Sequence, residues 1–297
     1  MDNKQFFLNR YEQLGGTIVD INLKKSLRVN TFKITHEKFV KRMNLIGVEL
    51  TKIPFLKDGY WAQAKFSLGA ITEYLQGYYY LQEAAAQLPA QILNPQAEDI
   101  VLDMCAAPGG KTTQISQIMQ NKGIVVAVEQ KPHRLESLKS NVERMHAENT
   151  IIYRTDALAL QKSAIKFDKI LLDAPCAGNY VTDSYWFKKR DMDGIKKSAE
   201  IQKQLLKAAM NLLKTNGVLV YSTCSLEPEE NELNMQWLLE NFKVKLDQIK
   251  IDNSDIGDEG LTNVFGKKLS PEIKKCKRFW PHKTNTEGFF IARIIKC

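Results

Sequence analysis

The 297-residue sequence predicts an α/β protein: an open, parallel, doubly wound sheet preceded by a small α+β segment. Two patterns predict the sheet. From about residue 99 onward, short apolar runs alternate with amphipathic helical stretches. Three of those runs end in small, polar turns: DIVL at 99–102, KILL at 169–172 and GVLVY at 217–221. Side chains at such turns stand at the carboxyl edge of the sheet, where open α/β proteins bind ligands. A third observation sets residues 1–75 apart: their elements are short and the segment is basic.

In order, the first segment holds a helical start (FFLNRYEQLG), a strand-like run (LRVNTFKI) and a helical run (HEKFVKRMNLIG). The larger unit is expected at 76–297. It opens with GYYYLQEAAAQLPAQIL at 77–93, which carries helical periodicity. IVLDM then leads to the helix TTQISQIMQ, and GIVVAVE to HRLESLKSNVERMH. TIIYRTD and FDKILLDAP follow, then a helix through IQKQLLKAAMNLLK. GVLVYST precedes the helix ENELNMQWLLENF, and GFFIARII closes the chain after an irregular stretch at 252–287. That last strand is expected to pair antiparallel at or near the sheet edge.

A hydrophobic fraction of 44% supports a sizeable core. No run reaches the roughly 18 apolar residues of a membrane span, and MDNKQFFLNRYEQ lacks a signal-peptide apolar region. A cytoplasmic location, away from any membrane, is expected. Five cysteines, odd in number and without close pairing, fit reduced thiols; no C-x-x-C occurs, so no metal site is expected. The formal charge is +8, and residues 1–75 hold twelve Lys/Arg against seven Asp/Glu. Further basic clusters lie at 188–190, 196–197 and 274–278. Such a surface attracts polyanions, with phosphate contacts dominating nucleic-acid affinity. Charge alone also fits a lysine-rich soluble surface.

The turn after DIVL reads DMCAAPGGKT. Gly109 and Gly110 let a ligand approach the backbone at a helix N-terminus. Gly110-Lys111-Thr112 matches the end of a P-loop, but Cys105 stands where its first glycine belongs, and GxGxxG is absent. Glu129 ends the second strand about twenty residues on, where an acid commonly holds ribose hydroxyls. Asp156 ends the third strand, in position to meet an adenine. These features describe an adenosine cofactor without a required phosphate, which fits S-adenosylmethionine better than NAD. As surface acids, Glu129 and Asp156 would instead cap helices.

Cys176 lies in DAPCAG and Cys224 in YSTCS. An intracellular cysteine is by default a small buried hydrophobe. Two of them just past strand ends, among Pro, Gly, Ser and Thr, point instead to a shared pocket.

DMCAAPGGKT, DAPCAG and YSTCSLEPEENE together resemble the RNA cytosine-5 methyltransferases of the NOL1/NOP2/Sun type. LRVNT, YYLQEAAAQLP and RFWPHKTNTEGFFIA resemble further motifs of that family, so the resemblance covers residues about 20 to 297. It looks strongest to the short archaeal tRNA-modifying members. The resemblance implies a Rossmann-like, S-adenosylmethionine-dependent methyltransferase sheet. It implies Cys224 as nucleophile, Cys176 as the group aiding product release, and Asp173 and Lys111 at the polar edge of the cytosine. It implies a cofactor lined by Cys105, Ala106, Ala107, Pro108, Gly109, Gly110, Lys111, Glu129, Arg134, Asp156 and Asp173. The chain departs from the family at Ala177-Gly178-Asn179, and at Glu129 where aspartate is common. The implied partner is RNA, most of all tRNA and otherwise rRNA, bound through residues 1–75 by a protein expected to be a monomer.

Cytosine C5 is too weak a nucleophile to take a methyl group unaided. A thiolate adding at C6 raises electron density on C5, which divides one hard step into easier ones. Three rivals differ in class. A DNA cytosine-5 methyltransferase would use Cys176, after proline, to attack. A non-catalytic RNA-assembly factor on the same fold would not need intact cysteines. A small-molecule methyltransferase would not need the basic segment.

Overall fold

The computed structural model describes residues 2–251 and 254–297. Helix α1 (Asn3–Gln13) opens the chain, with the Asp2 carboxylate accepting from Lys4 N–H. Its apolar face does not lie on the small sheet that follows. Phe7 and Tyr11 are fully buried in the core of the larger body. Phe7 meets Trp186 edge-on at 4.8 Å, and Tyr11 meets Trp280 at 6.1 Å.

The small domain is a four-stranded antiparallel sheet. Its strands are β1 (Ser26–Val29), β2 (Glu49–Lys52), β3 (Gly59–Gln63) and β4 (Tyr79–Leu81), in the order β2-β3-β1-β4. Helix α2 (His36–Leu45) covers it through Phe39 and Met43. The short α3 (Thr72–Leu75) leads into β4. A boundary at 75/76 therefore cuts through this sheet, because β4 pairs with β1 from Leu27↔Leu81 to Val29↔Tyr79. The segment 77–93 is also not one helix. After β4 the chain enters α4 (Leu88–Leu93), whose Pro89 sits in the first turn, where its missing N–H costs nothing.

The large sheet begins with β5 (Ile100–Asp103), α5 (Gly110–Ile118), β6 (Ile124–Glu129), α6 (Pro132–Met145) and β7 (Thr150–Arg154). It continues with β8 (Phe167–Asp173), α7 (Trp186–Lys189), α8 (Met192–Leu212), β9 (Leu213–Thr223) and α9 (Glu232–Asn241). Strands β7-β6-β5-β8-β9 are parallel neighbours, so the chain winds outward both ways from β5. Leu102, Ile170 and Leu219 are fully buried on adjacent strands. Each such side chain contributes on the order of 1.5–3 kcal/mol by leaving water.

The remaining elements are β10 (Val244–Asp247), the two-residue strands β11 (Asp258–Glu259), β12 (Asn263–Val264) and β13 (Lys267–Lys268), then β14 (Lys277–Phe279), α10 (Pro281–Thr284) and β15 (Phe289–Lys296). Strand β15 is antiparallel to β9, as its late position predicts. It is an interior strand, not an edge one: β14 pairs with its first half and β10 with its second. Both arise outside the expected strand set, and β14 lies within the supposedly irregular 252–287. Arg278 on β14 reaches α9 in a fully buried ion pair with Glu232 at 2.5 Å. No helix among the described residues is long and apolar enough to cross a membrane.

Candidate active site

The carboxyl ends of β5, β8 and β9 bring the three sequence motifs together. After β5 the backbone turns back over the sheet: Met104 N–H donates to Leu171 O and Ala106 N–H to Val128 O. Gly109 takes φ +107°, where a Cβ would meet the Leu138 side chain at 3.1 Å, so glycine fits the turn. Asp103 is buried and accepts from Thr112 Oγ1 at 2.7 Å. Burial pushes its pKa up to about 6 against the lowering effect of that bond. Among the described residues its other oxygen, Oδ1, is buried without a well-formed hydrogen bond.

A cavity of about 180 Å³ runs along this loop from Tyr80 to Lys111 and Asp173. Lys111 Nζ and Asp173 Oδ2 are 2.7 Å apart, and Ser222 Oγ donates to Asp173 Oδ1 at 2.7 Å. Burial alone would lower the pKa of Lys111; the Asp173 carboxylate outweighs it and the net shift is upward. A larger cavity of about 570 Å³ lies toward the other end of β15, beside Asp58, Gln91 and Arg293, and contains no thiol.

Cys176 and Cys224 face each other with sulfurs 3.1 Å apart. The Cys176 thiol hydrogen-bonded to Cys224 is the largest influence on each. It pulls the pKa of Cys224 down and drives that of Cys176 well up. Burial and Asp173 oppose the fall at Cys224, while the Lys111 ammonium assists it. The two thiols thus share one hydrogen bond, which either sulfur can donate, and the shared bond together with the Lys111 ammonium favours a thiolate at Cys224.

Polar side chains hold both thiol loops. Glu230, fully buried, accepts from Ala177 N–H at 3.0 Å and from Gln202 Nε2 at 2.9 Å. Burial pushes its pKa up to about 7. Asn179 is also fully buried; its Nδ2 donates to Cys224 O at 2.7 Å and to Gly288 O at 3.1 Å. Asn231 accepts from Thr223 Oγ1 at 2.6 Å and donates to Ser225 O at 2.9 Å, bracing both sides of Cys224.

The other expected residues divide. Glu129 is buried at the end of β6, accepting from Lys131 N–H at 2.8 Å and lying 3.4 Å from Arg134 Nη1. Arg134 also donates to Ala107 O at 2.5 Å, which joins Glu129 to the loop. Asp156 instead caps its own helical turn, accepting from Leu158 N–H at 2.9 Å. Cys105 is half-buried in the loop, and desolvation raises its pKa far from thiolate formation. Sequence reasoning missed Glu83, Glu230, Asn231 and Glu287, and took Asn179 only as a departure. The signal was their position: each lies within or beside a quoted motif, where a polar residue at a sheet edge turns inward.

One family description, "16S rRNA methyltransferase RsmB/F", matches residues 90–295. A second, "N-terminal domain of 16S rRNA methyltransferase RsmF", matches residues 4–84. A 28S rRNA (cytosine-C(5))-methyltransferase of Mus musculus is 37% identical over 91% of this chain and 35% of its own length. A tRNA (cytosine(72)-C(5))-methyltransferase of Pyrococcus horikoshii is 37% identical over 78% of this chain and 57% of its own. The chain thus spans between about a third and three-fifths of these relatives. A solved methyltransferase homologue from Pyrococcus horikoshii superposes with a TM-score of 0.85 at 41% identity, covering 93% of this chain and 87% of that one. A glycine loop, a paired lysine and aspartate, and two apposed thiols on a sheet of this topology thus coincide with matches along nearly the whole length; the chain belongs to the RsmB/F family of methyltransferases.

Proposed function

We propose that this protein methylates cytosine C5 in RNA, with S-adenosylmethionine supplying the electrophilic methyl group when bound. The observation that carries the reading is the pair of thiols 3.1 Å apart, beside Lys111 and Asp173. A lone nucleophile needs no second thiol. A thiolate that must first add and later leave is served by a neighbour that takes or gives a proton. Cys224 adds to C6, Cys176 assists release, and Asp173 with Lys111 holds the polar edge of the ring. The DNA-enzyme rival needs only the cysteine after proline, and the second thiol 3.1 Å from it argues against that reading.

The residues present fit the cofactor. Asp103 Oδ1, buried without a well-formed hydrogen bond, suits a donor such as the cofactor's amino group. Gly109 and Gly110 leave the backbone of residues 105–111 open to it, and Glu129 with Arg134 suits the ribose end. Asp156, committed to its own turn, keeps only its second oxygen for the adenine side.

RNA is the proposed partner, with the small domain as its first contact. Lys24, Lys25, Lys41 and Arg42 are exposed on that domain. Arg28, in the same basic segment, is fully buried and is not counted with them. We propose tRNA as the substrate class, a cytoplasmic location and a monomer. The match of residues 4–84 to an rRNA enzyme's N-terminal domain favours rRNA as the second reading.

Methyl incorporation from labelled cofactor into tRNA, rRNA and DNA tests the class. Cys224→Ala should abolish methylation and form no adduct. Cys176→Ala should attack and methylate once, leaving RNA bonded to Cys224 as a slow band on a denaturing gel that vanishes in the double variant. An adduct in Cys224→Ala alone would move the nucleophile to Cys176. Equal partial activity in both variants would end the covalent reading.

A further inference from the structure

We infer that Glu287 is the acid that lends a proton to the target pyrimidine while Cys224 adds to it; this rests on the methyltransferase reading above. The residue lies two positions before β15, and the backbone there is tied to the nucleophile. Asn179 Nδ2 holds Gly288 O and Cys224 O at once. Next in the chain, the Phe289 ring lies 5.6 Å from Lys111 Nζ.

Glu287 is only 9% exposed, and among the described residues its carboxyl oxygens have no hydrogen-bond partner. Its backbone N–H donates to Glu83 Oε1 at 3.2 Å. Glu83 also accepts from Ala85 N–H at 2.6 Å and Ala86 N–H at 3.3 Å. Three backbone donors favour the charged form of Glu83, and none favours that of Glu287. The charge on Glu83 therefore acts on a neighbouring carboxyl that has no donor of its own to offset it, which favours the neutral form of Glu287. The groups that act on it are Glu83, Cys224, Lys111 and Asp173. Burial first, then Glu83, raises its pKa well above the ordinary carboxyl range, and Lys111 opposes.

A buried neutral acid without a partner is costly unless a ligand takes its hydrogen bond. The cytosine ring offers N3 and O2 as acceptors and its N4 amine as a donor. Asp173 already accepts from Lys111 and Ser222 on its two oxygens. It suits the N4 amine, which leaves N3 in need of a donor. Glu287 supplies it.

The step balances as follows. The Cys224 sulfur forms a bond to C6, the C5–C6 electron pair moves through C4 to N3, and N3 takes the Glu287 proton. Glu287 becomes a carboxylate and C5 becomes enamine-like. C5 would then accept the methyl group that a bound S-adenosylmethionine supplies. Loss of the C5 proton to a base and expulsion of the Cys224 thiolate restore the double bond, and the N3 proton returns to Glu287. One proton is released for each methyl transferred.

Full-length wild type, Glu287→Gln, Glu287→Ala and Glu287→Asp separate the possibilities. Difference infrared spectra of wild type minus Glu287→Gln at neutral pH should show the carbonyl band of a protonated carboxyl. Glu287→Gln should lower kcat by about 10²–10³-fold, the scale for a lost transition-state donor, with cofactor affinity held within a few-fold. Wild-type kcat should fall as pH rises through the Glu287 pKa. Glu287→Asp should keep that limb with partial activity, and Glu287→Gln should lack it. The inference falls if the infrared band is absent, if Glu287→Gln matches wild-type kcat, or if all three variants lose cofactor binding in step with activity. Wild type that methylates no RNA would overturn the methyltransferase reading and this inference together. An active wild type matched by Glu287→Gln would overturn the inference alone.

Discussion

Glu230 shows how one buried side chain couples chemistry to stability. Its carboxyl holds the Ala177 N–H, one residue past Cys176, and burial moves its pKa from the ordinary 4.5 up to about 7. A raised acid means that the folded state binds the proton more tightly than the unfolded chain. The stabilisation is complete below the unfolded pKa of 4.5 and is lost as pH rises to about 7. A shift of that size is worth on the order of 3 kcal/mol. Glu230→Gln keeps an oxygen for Ala177 and removes the titration. Urea midpoints for wild type should therefore fall between about pH 4.5 and 7 relative to those of Glu230→Gln, and run parallel above that range. Parallel curves throughout would show that Glu230 does not hold the proton. Ionised Glu230 also raises the pKa of Cys176, which favours the protonated form of that thiol.

At the scale of elements, strand β1 is tied to helix α5 by one cation. Arg28 donates to Gly110 O at 2.6 Å, Gln82 Oε1 at 2.8 Å and Thr113 Oγ1 at 2.8 Å, with no carboxylate partner. Burial lowers its pKa from 12.5 to about 10, so it stays charged at neutral pH. Hydrogen bonds to a charged group contribute about 1.5–3 kcal/mol. Arg28→Leu should cost on the order of 2–4 kcal/mol in denaturant unfolding. It should also weaken cofactor binding by calorimetry, because Gly110 opens α5, the helix proposed to meet the cofactor. Lys24→Ala, on an exposed position of the same domain, should change neither; equal effects from both would deny Arg28 its clamping part. Nothing local in the sequence marks the depth of Arg28, because a basic strand residue reads like any surface cation. Likewise β5, β6, β8 and β9 were legible as apolar runs, whereas β10 (VKLD) and β14 (KRF) were not. Their pairing partner β15 lies far along the chain or across a turn, and tertiary pairing overrides their weak local pattern. The site divides in the same way. Cys176 and Cys224 stand out by their place just past strand ends, and Lys111 and Asp173 are named through the family resemblance of their motifs. Glu83, Glu230 and Glu287 do not stand out, since an acid in a string of residues looks solvated until the fold buries it.

At the scale of the whole molecule, the N-terminal segment is not a detachable module. Helix α1 fills the core of the large body with Phe7 and Tyr11, β1 pairs with β4, and Arg28 reaches the first residue of α5. A chain starting near Gly77 would lose all three, so its expected result is insoluble protein and not a cofactor-binding core without RNA affinity. Charge removal on the intact chain is the sound test. Lys24, Lys25 and Lys41 are exposed on the small domain, while Arg42 is already paired with Glu73 at 2.9 Å. A cavity bordered by Lys24 and Lys25 continues past Leu81 and Gln82, which also border the cavity at the cofactor loop. RNA phosphates held at the lysines would therefore lead a base toward Lys111 and Asp173. Each phosphate contact adds about 0.7–0.9 to the slope of log affinity against log salt. Replacing the three lysines by glutamine should lower that slope by about 2–3, weaken RNA binding at low salt, and leave cofactor affinity unchanged. The same RNA affinity and slope in the triple variant would remove the small domain from the RNA path. Attention would then move to the exposed cations at 188–190 and 196–197, on and beside α7 and α8.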